Sequence, residues 1–574
     1  MKFSLDTWTM RLREHEDRVF LALTLLIGAV VGAVVVAFIV VTGNLGARMY
    51  PPGGSPWRRL LVPVAGSLVT GYLLSHYFPN ARGSGIPQTK AALFVRGGYI
   101  RLRTVLGKFS CCSISLASGI TLGREGPAVQ VGAGLASVLG RRLGLSPEKV
   151  KALIPVGASA AVAAAFNTPI AGVLFSLEEI MGDLHAPVLG SVVLSSATAW
   201  MVLHLLLGDE PLFHVPPYQL VHPLEFGVYA VLGVAGGLVS TSFVKLLLGM
   251  RAWFLARPKW TQWFQPVAGG LAVGVMGWFV PQSLGIGYQY VGQALNGEMA
   301  LKAMVLLLVL RLVSTTTCYA SGNAGGIFGP SLFIGAMLGG AIGSVAHAVL
   351  PQYTASAGAY ALVGMGTAFA GIVRVPLTSV IMIFEVTRDY SIIVPLMISN
   401  LISFFISYRL QREPIYEALC AQDGIHLPSG ETRARQSAMR VERAIRRDVE
   451  PFSPQVTAAV ALENLRQLGA AAWPVADGDD LIGMITAAQL EGDVDQGASN
   501  RPLAQILPAT GWSAHDFPHV HADHSLDIAL QRMGAMHLDV LPVVRRDNPR
   551  RLVGIVTLSD VLGAFGIERS RAAG

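Results

Sequence analysis

Charged residues are scarce in this chain of 574 residues, where they make up 14% of the total. A soluble protein carries about 25%. The shortage is concentrated between Phe20 and Tyr408, where apolar segments long enough to cross a bilayer follow one another with short polar interruptions. This distribution excludes an ordinary soluble domain over that region and predicts a protein that crosses the membrane many times.

Cysteine is also rare, and the signatures of common enzymes are missing. None of the four cysteines has the spacing of metal ligands, so we expect small apolar core residues and no metal site. A P-loop, a zinc motif and a nucleophile elbow are all absent, which argues against an enzyme. The net charge of +7 comes from scattered basic residues, which suit inside loops and anionic lipids better than nucleic acid. The cysteines are Cys111, Cys112, Cys318 and Cys420.

A cleavable secretion signal is not found either. The opening residues "MKFSLDTWTMRLREHEDRVF" are polar and of mixed charge, without a small-residue cleavage site before the first long apolar run. That run, Val19–Val41, is therefore predicted to be the first membrane helix. We expect an integral protein of the plasma (cell inner) membrane with both termini in the cytoplasm.

What the membrane region has in excess is glycine, and two of its glycine-rich segments are related. The chain contains 63 glycines. Glycine-rich segments break helices. Such breaks are tolerated at membrane depth where backbone lines a cavity, and they are typical of transporters. "SGITLGREGPAVQVG" (118–132) and "SGNAGGIFGPSLFIG" (321–335) both read SG, seven residues, P, four residues, G. The repeat continues beyond these segments. The intervals between Gly157, Pro169 and Glu178 are the same as those between Gly364, Pro376 and Glu385.

The repeat distinguishes shared acidic residues from unshared ones. Glu178 has a counterpart in Glu385, so we predict a shared structural role, such as accepting backbone N–H groups. Glu125 and Glu179 have no acidic counterpart. Because a carboxylate inside a membrane region is costly, these two are the functional candidates.

Three glycine-rich turns open predicted helices: Gly83–Pro87, Gly123–Pro127 and Gly325–Pro330. Helix starts expose backbone N–H groups with partial positive charge, and glycine lets them approach a ligand closely. Converging starts would bind an anion without holding it too tightly for release. The alternative is tight helix packing by small residues. Lys108 and Arg311 precede two of these turns, and either raise the local potential or pair with carbonyl groups.

The segments "GSGIP", "GREGP" and "GGIFGP", in this order, resemble the signature segments of the CLC family of chloride channels and chloride/proton antiporters. "AAAFNTPIAGVLFSLEE" and "REPIYEAL" are also similar to that family, and the resemblance extends from Leu21 to Ala421. It implies an all-α, multi-span membrane protein with inverted repeats and broken helices. It also implies a homodimer with one pore in each subunit.

The resemblance assigns chloride contacts to hydroxyl groups and backbone amides. For Tyr416 the alternative is an interfacial aromatic residue at a helix start. A serine at position 84 favours chloride over nitrate in the family pattern. The implied contacts are the hydroxyls of Ser84 and Tyr416, the amides of Ile327 and Phe328, and, more externally, the amides around Arg124 and Gly126.

By the same resemblance, Glu125 matches the gating glutamate and Glu179 the inner proton-transfer glutamate of antiporters. An ionised Glu125 competes with chloride for the same amides, and protonation lets it withdraw. Glu179 could instead be an acid at a helix end in water. The sequence thus predicts chloride transport, as secondary-active exchange for protons, with a passive chloride channel as the alternative. A membrane-anchored sensor without flux explains neither the glycines nor the unshared acids. We expect chloride and protons as transported ions and no required cofactor.

The composition changes after Gln422, and a second repeat follows. "AAWPVADGDDLIGMITAAQL" (471–490) is similar to "DVLPVVRRDNPRRLVGIVTLSDVL" (539–562), and an amphipathic helix pattern precedes each copy. This arrangement resembles a tandem pair of CBS motifs, a small α/β domain. The predicted organisation is a membrane transport domain at 1–421, a linker at 422–440 and a cytoplasmic CBS pair at 441–574.

CBS pairs often bind adenine nucleotides, and the second copy offers Thr557 and Asp560 for a phosphate and a ribose. The first copy has Gln489 where that aspartate would stand, so a platform without ligand is the equal alternative. The histidines of "SAHDFPHVHADHS" have weak spacing for a metal site, and a solvated loop is the preferred interpretation. They are His515, His519, His521 and His524.

Overall fold

In a computed structural model of the chain, the described residues are 16–51, 53–184, 188–209, 211–213, 215–216, 218, 220–428, 439–478, 480–507, 517–536 and 538–565. The chain divides into two compact units, Met1–Leu427 and Pro428–Gly574. The division falls inside the predicted linker, of which residues 429–438 lie outside the described part.

The first unit is mainly helical in its described residues, as its long apolar runs require. Seven of its described helices are long and apolar enough to cross a membrane. The first of them extends beyond the predicted Val19–Val41 at both ends. The helices are α1 (Glu16–Met49), α2 (Pro56–His76), α3 (Ile86–Phe94), α4 (Leu102–Ala117), α5 (Glu125–Arg142), α6 (Pro147–Phe166), α7 (Pro169–Phe175), α8 (Leu189–Leu207), α9 (Glu225–Leu255), α10 (Pro266–Phe279), α11 (Tyr288–Leu295), α12 (Leu301–Ser321), α13 (Phe328–Val349), α14 (Ala357–Val373), α15 (Pro376–Thr387), α16 (Ile393–Leu410) and α17 (Ile415–Gln422).

The predicted helix breaks lie at corresponding places in the two copies of the repeat. α6 is followed by Asn167 and α14 by Arg374, both in the left-handed conformation with φ of 61° and 68°. Pro169 and Pro376 then open α7 and α15, where the missing N–H of proline is not needed. α7 continues into one π-helical turn, Ser176–Met181, which carries both glutamates of the "SLEE" segment.

Two pairs of glycines bring helices of each copy into backbone contact. A methyl group on Gly132 or on Gly157 would overlap the facing carbonyl oxygen of the other residue. Gly335 and Gly364 make the same contact between α13 and α14. The close approach explains why these repeat positions hold glycine, as the packing interpretation of small residues requires.

Glu178 and Glu385 each cap a helix of the other copy. Glu178 accepts the N–H groups of Leu377 and Thr378 at 3.3 and 2.8 Å, at the start of α15. Glu385 accepts those of Ile170 and Ala171 at 2.9 and 2.7 Å, at the start of α7. The predicted structural role is confirmed. Because the contact is reciprocal, the two copies are related by an approximate two-fold axis.

Apolar side chains cover both the interior and much of the outer surface of the first unit. All four cysteines are free and buried, as predicted. On the outside, Leu205 is 81% exposed and Val231 59% exposed. An apolar outer surface is what a bilayer requires, since it replaces water around the helices.

The second unit contains two β-hairpins, each preceded by a helix and followed by one. Its elements are α18 (Ala458–Leu468), β1 (Ala472–Asp477), β2 (Asp480–Thr486), α19 (Ala487–Asp495), α20 (Leu503–Ile506), α21 (Leu526–Met536), β3 (Val540–Val544), β4 (Leu552–Thr557) and α22 (Leu558–Ala564).

The hairpins have matching registers. Pro474 pairs with Met484 in the first, and Pro542 with Ile555 in the second. Both antiparallel ladders shift register one or two residues after the proline. The internal repeat of the second unit is thus a repeat of structure, and the predicted amphipathic helices α18 and α21 are confirmed.

Candidate functional site

The starts of α5 and α13 are joined by backbone hydrogen bonds. Gly123 and Gly326 form an antiparallel bridge in which each N–H donates to the carbonyl of the other at 2.7 Å. These are the glycine-rich openings "GREGP" and "GGIFGP" of the two copies. The bridge places the two helix starts side by side, so their N–H groups and partial positive charges lie close together.

The opening that carries Ser84 lies against the same place. Ser84 is fully buried, and a methyl group on Gly126 would lie 2.6 Å from its carbonyl oxygen. Gly85 has φ of 102°, a conformation that favours glycine. Lys108 is fully buried and donates from Nζ to the Gly83 carbonyl at 2.7 Å. Of the two interpretations of Lys108, pairing with a carbonyl is confirmed.

A fourth opening, Gly285–Tyr288, was missed by sequence reasoning because it has no proline. Arg311 donates to the carbonyls of Gly285 at 2.6 Å and Ile286 at 2.9 Å, as Lys108 does in the other copy. Gly285 and Gly287 have φ of 68° and 81°. The separation of 202 residues between Gly83 and Gly285, close to the repeat offset, was the signal that could have revealed it.

Glu125 is the first residue of α5, and its carboxylate lies at these converging starts. It is 1% exposed, and a methyl group on Gly329 would lie 3.1 Å from its Oε2 atom. Its Oε1 atom accepts the hydroxyl of Tyr288, while Oε2 has no partner among the described residues. The guanidinium of Arg124 lies 5.8 Å from the centre of the Tyr288 ring. A buried carboxylate thus occupies a place that backbone N–H groups suit for an anion.

The remaining predicted chloride contacts are buried near this place. Ile327 and Phe328 form the start of α13, and the Phe328 ring packs on Phe369 with centroids 4.2 Å apart. Tyr416 is fully buried, and its hydroxyl has no partner among the described residues. It lies within electrostatic range of both Glu125 and Glu179. The interpretation of Tyr416 as an interfacial aromatic residue is therefore wrong.

Glu179 is buried and paired with a lysine that the sequence analysis did not identify. Lys90 Nζ lies 2.7 Å from Glu179 Oε1, with the two side chains 4% and 6% exposed. Lys90 Nζ also lies 3.6 Å from Glu417 Oε1, whose side chain is 29% exposed. The interpretation of Glu179 as a helix-end acid in water is wrong.

A basic cavity of about 790 Å³ reaches this region from one face of the unit. Gly83 and Pro87, on either side of Ser84, belong to its lining. The lining also includes Arg251, which is ion-paired with Asp423 at 2.5 Å. A basic cavity raises the local concentration of small anions. Its other basic residues are His76, Arg82, Arg96 and Lys259.

In the second unit, Thr557 and Asp560 form a capping box at the start of α22. Arg446 makes a two-pronged contact with the Asp560 carboxylate, with both nitrogen–oxygen distances at 2.8 Å. Partial burial opposes ionisation of Asp560, but hydrogen bonds from Arg446 and Thr557 outweigh it and hold its pKa below the ordinary value. Gln489 takes the capping role of Asp560 in the first copy, with Thr486.

The rings of the described histidines of the second unit lie next to one another, and their ring nitrogens contact the backbone. His519 Nδ1 is 2.9 Å from the Phe517 carbonyl, and His521 Nδ1 is 3.1 Å from that of Val544. They are partly buried rather than fully solvated. No group of three metal-ligating side chains is found among the described residues, and His515 lies outside them.

Comparison with known proteins places these features in a family. Residues 65–408 match the family described as voltage gated chloride channel, and residues 512–566 match the CBS domain. A protein of Vibrio campbellii named H(+)/Cl(-) exchange transporter ClcA is 31% identical over 63% of this chain and 78% of its own length. The protein of the same name in Vibrio parahaemolyticus is 32% identical over 61% of this chain and 76% of its own.

Solved structures agree with the fold. The structure of a slow cyanobacterial Cl-/H+ antiporter matches with a TM-score of 0.65 and 26% identity, covering 70% of this chain and 97% of that one. The structure of a eukaryotic CLC transporter, at 19% identity, supports the fold alone, with a TM-score of 0.61 over 94% of this chain and 97% of its own. The predicted fold class is confirmed. This chain belongs to the voltage gated chloride channel family of integral membrane transport proteins.

Proposed function

We propose that this protein exchanges chloride for protons across the membrane, through an anion pathway gated by Glu125. One observation carries the proposal: the Glu125 carboxylate lies buried where the starts of α5 and α13 are joined, with Oε2 against Gly329. The names of the relatives, H(+)/Cl(-) exchange transporters, support the same function.

In this mechanism the ionised Glu125 and chloride compete for one set of donors. The amides of Ile327 and Phe328 and the hydroxyls of Ser84 and Tyr416 hold the central chloride. The amides around Arg124 and Gly126 hold it more externally. When Glu125 takes a proton it loses its charge, leaves its position at the helix starts and carries that proton away, and chloride occupies the position. Exchange follows because one position serves both ions in turn.

Glu179 supplies protons to this position from the inner side. Its burial keeps it away from bulk water, and Lys90 compensates its charge when ionised. Tyr416 lies within electrostatic range of both glutamates, so the chloride and proton routes share this region.

The test is simultaneous measurement of chloride and proton flux from proteoliposomes. Glu125→Gln, whose neutral amide can neither take up nor release a proton, should abolish coupled proton movement. Glu179→Gln should impair proton movement and leave chloride flux in place. Wild-type coupling in both variants would refute the roles assigned to these residues.

A passive chloride channel is the second candidate, and the buried Lys90–Glu179 pair favours the exchanger over it. Reversal potentials under opposed chloride and proton gradients separate the two. An exchanger reverses at a voltage set by both gradients, whereas a channel reverses at the chloride potential alone.

We further propose that the protein is a homodimer in the plasma (cell inner) membrane with both termini in the cytoplasm. Its transport domain would be residues 1–421, its linker 422–440 and its regulatory CBS pair 441–574. An adenine nucleotide at Thr557 and Asp560 must compete with Arg446 for the carboxylate. Binding is therefore expected to be weak and to strengthen in Arg446→Ala. Calorimetric titration of the full chain with ATP and AMP tests this, and an absence of heat in both proteins removes the nucleotide site.

A further inference from the structure

Two carboxylates share one buried lysine on the side of the membrane unit from which the chain leaves at Leu427. Lys90 on α3 is 3% exposed, and its ammonium group lies between Glu179 after α7 and Glu417 on α17. The distances, 2.7 Å to Glu179 and 3.6 Å to Glu417, show that Lys90 favours the deeper acid.

The Lys90 ammonium connects the two carboxylates, because it lies within ion-pair distance of both. The other titratable groups facing the two carboxylates are Glu178, Tyr416 and Cys420, together with the Arg374 guanidinium, which interacts electrostatically with Glu417. Glu178 is itself held by the start of α15.

The two acids differ in their access to water. The Glu417 side chain is 29% exposed and that of Glu179 is 6% exposed. A proton arriving from solution therefore meets Glu417 first, while Glu179 is reached through the lysine.

We propose that Glu417 is the carboxylate that takes up protons from solution, and that Lys90 relays them to Glu179. This inference rests on the proposed exchange function. In the relay the Lys90 ammonium first releases one N–H proton to Glu179, which leaves a neutral amine with a lone pair. The O–H bond of protonated Glu417 then breaks and its proton passes to that amine. The lysine ends with the protons it began with, Glu417 becomes ionised and Glu179 neutral.

The experiment records chloride and proton flux together from proteoliposomes that contain the full chain. Glu417→Gln should lower the proton flux about ten-fold or more, as loss of a proton-transfer group does, while chloride flux continues. Acidifying the bath should restore part of the loss, because more protons then reach Glu179 without Glu417. Glu417→Asp should recover most of the proton flux.

Glu413→Gln is the matched control, since Glu413 is exposed and lies four residues earlier in the same segment. It should behave as the wild type. Lys90→Arg tests the lysine: arginine keeps the charge but does not release a proton, so proton flux should fall as in Glu417→Gln.

The possible outcomes test the proton relay separately from the proposed exchange function. A wild type that moves chloride without protons overturns both. A coupled wild type with unchanged proton flux in Glu417→Gln overturns the role of Glu417 alone. Equal losses of chloride and proton flux would reveal a structural role and also overturn it. Full proton flux in Lys90→Arg overturns the relay through Lys90.

Discussion

The hydroxyl of Tyr288 is the single side-chain donor seen on the Glu125 carboxylate within the described residues, so its removal measures how strongly the proposed gate is held in place. Tyr288→Phe deletes that hydroxyl and keeps the ring, with its contacts to Arg124 and Phe213. A hydrogen bond to a charged group contributes about 1.5–3 kcal/mol. In the proposed mechanism ionised Glu125 and chloride compete for one place, so weaker binding of the carboxylate should strengthen the binding of chloride.

We therefore expect Tyr288→Phe to bind chloride about 10- to 100-fold more tightly than the wild type, the equivalent of that free energy. Isothermal titration with chloride at neutral pH measures the difference. Tyr290→Phe is the matched control: it lies two residues away, and no contact of its hydroxyl with Glu125 is seen in the described structure.

A double-mutant comparison isolates the cause. In a Glu125→Gln background the competing charge is gone, so Tyr288→Phe should change chloride affinity little. If Glu125→Gln alone strengthens chloride binding and Tyr288→Phe alone does not, then the tyrosine does not hold the gate and the reasoning fails.

Two further predictions concern stability. Glu385→Gln removes the charge that caps α7 and should lower the free energy of unfolding by about 1 kcal/mol, which a lower thermal midpoint would show. Glu178→Gln should have the same effect at the start of α15. An unchanged midpoint in both variants would contradict the capping role. Burial lowers the pKa of His524 to about 4, so the folded second unit favours the neutral ring. Its contribution to stability is complete above the ordinary value of about 6.5 and is lost as the pH falls towards about 4. Hydrogen exchange of the full chain should show that loss, and His524→Gln should flatten it.

The sequence predicted those parts of the site that depend on spacing within one segment or on comparison of the two copies. Glycine with proline marked three helix starts, and the repeat singled out Glu125 and Glu179 while giving Glu178 a structural partner. These predictions did not depend on three-dimensional contacts, because helix starts and repeat intervals can be recognised from the order of residues alone.

The contacts of the site could not be predicted in the same way. Tyr288 is 163 residues from Glu125, and Lys90 is 89 residues from Glu179. Such pairs form only when separate helices pack, and nothing in the local pattern of either residue records its partner. For Lys108 the sequence left two roles open, and only the position of the Gly83 carbonyl decides between them.

The bridge between Gly123 and Gly326 also bears on how the protein is made. Its two residues are 203 positions apart, so they can meet only after the second copy of the repeat has been synthesised. An N-terminal fragment that ends before the second copy would contain "GSGIP" and "GREGP" and still lack half of the proposed anion site. Chloride would then act as a ligand of the completed assembly alone, and its binding would stabilise the joined halves by mass action.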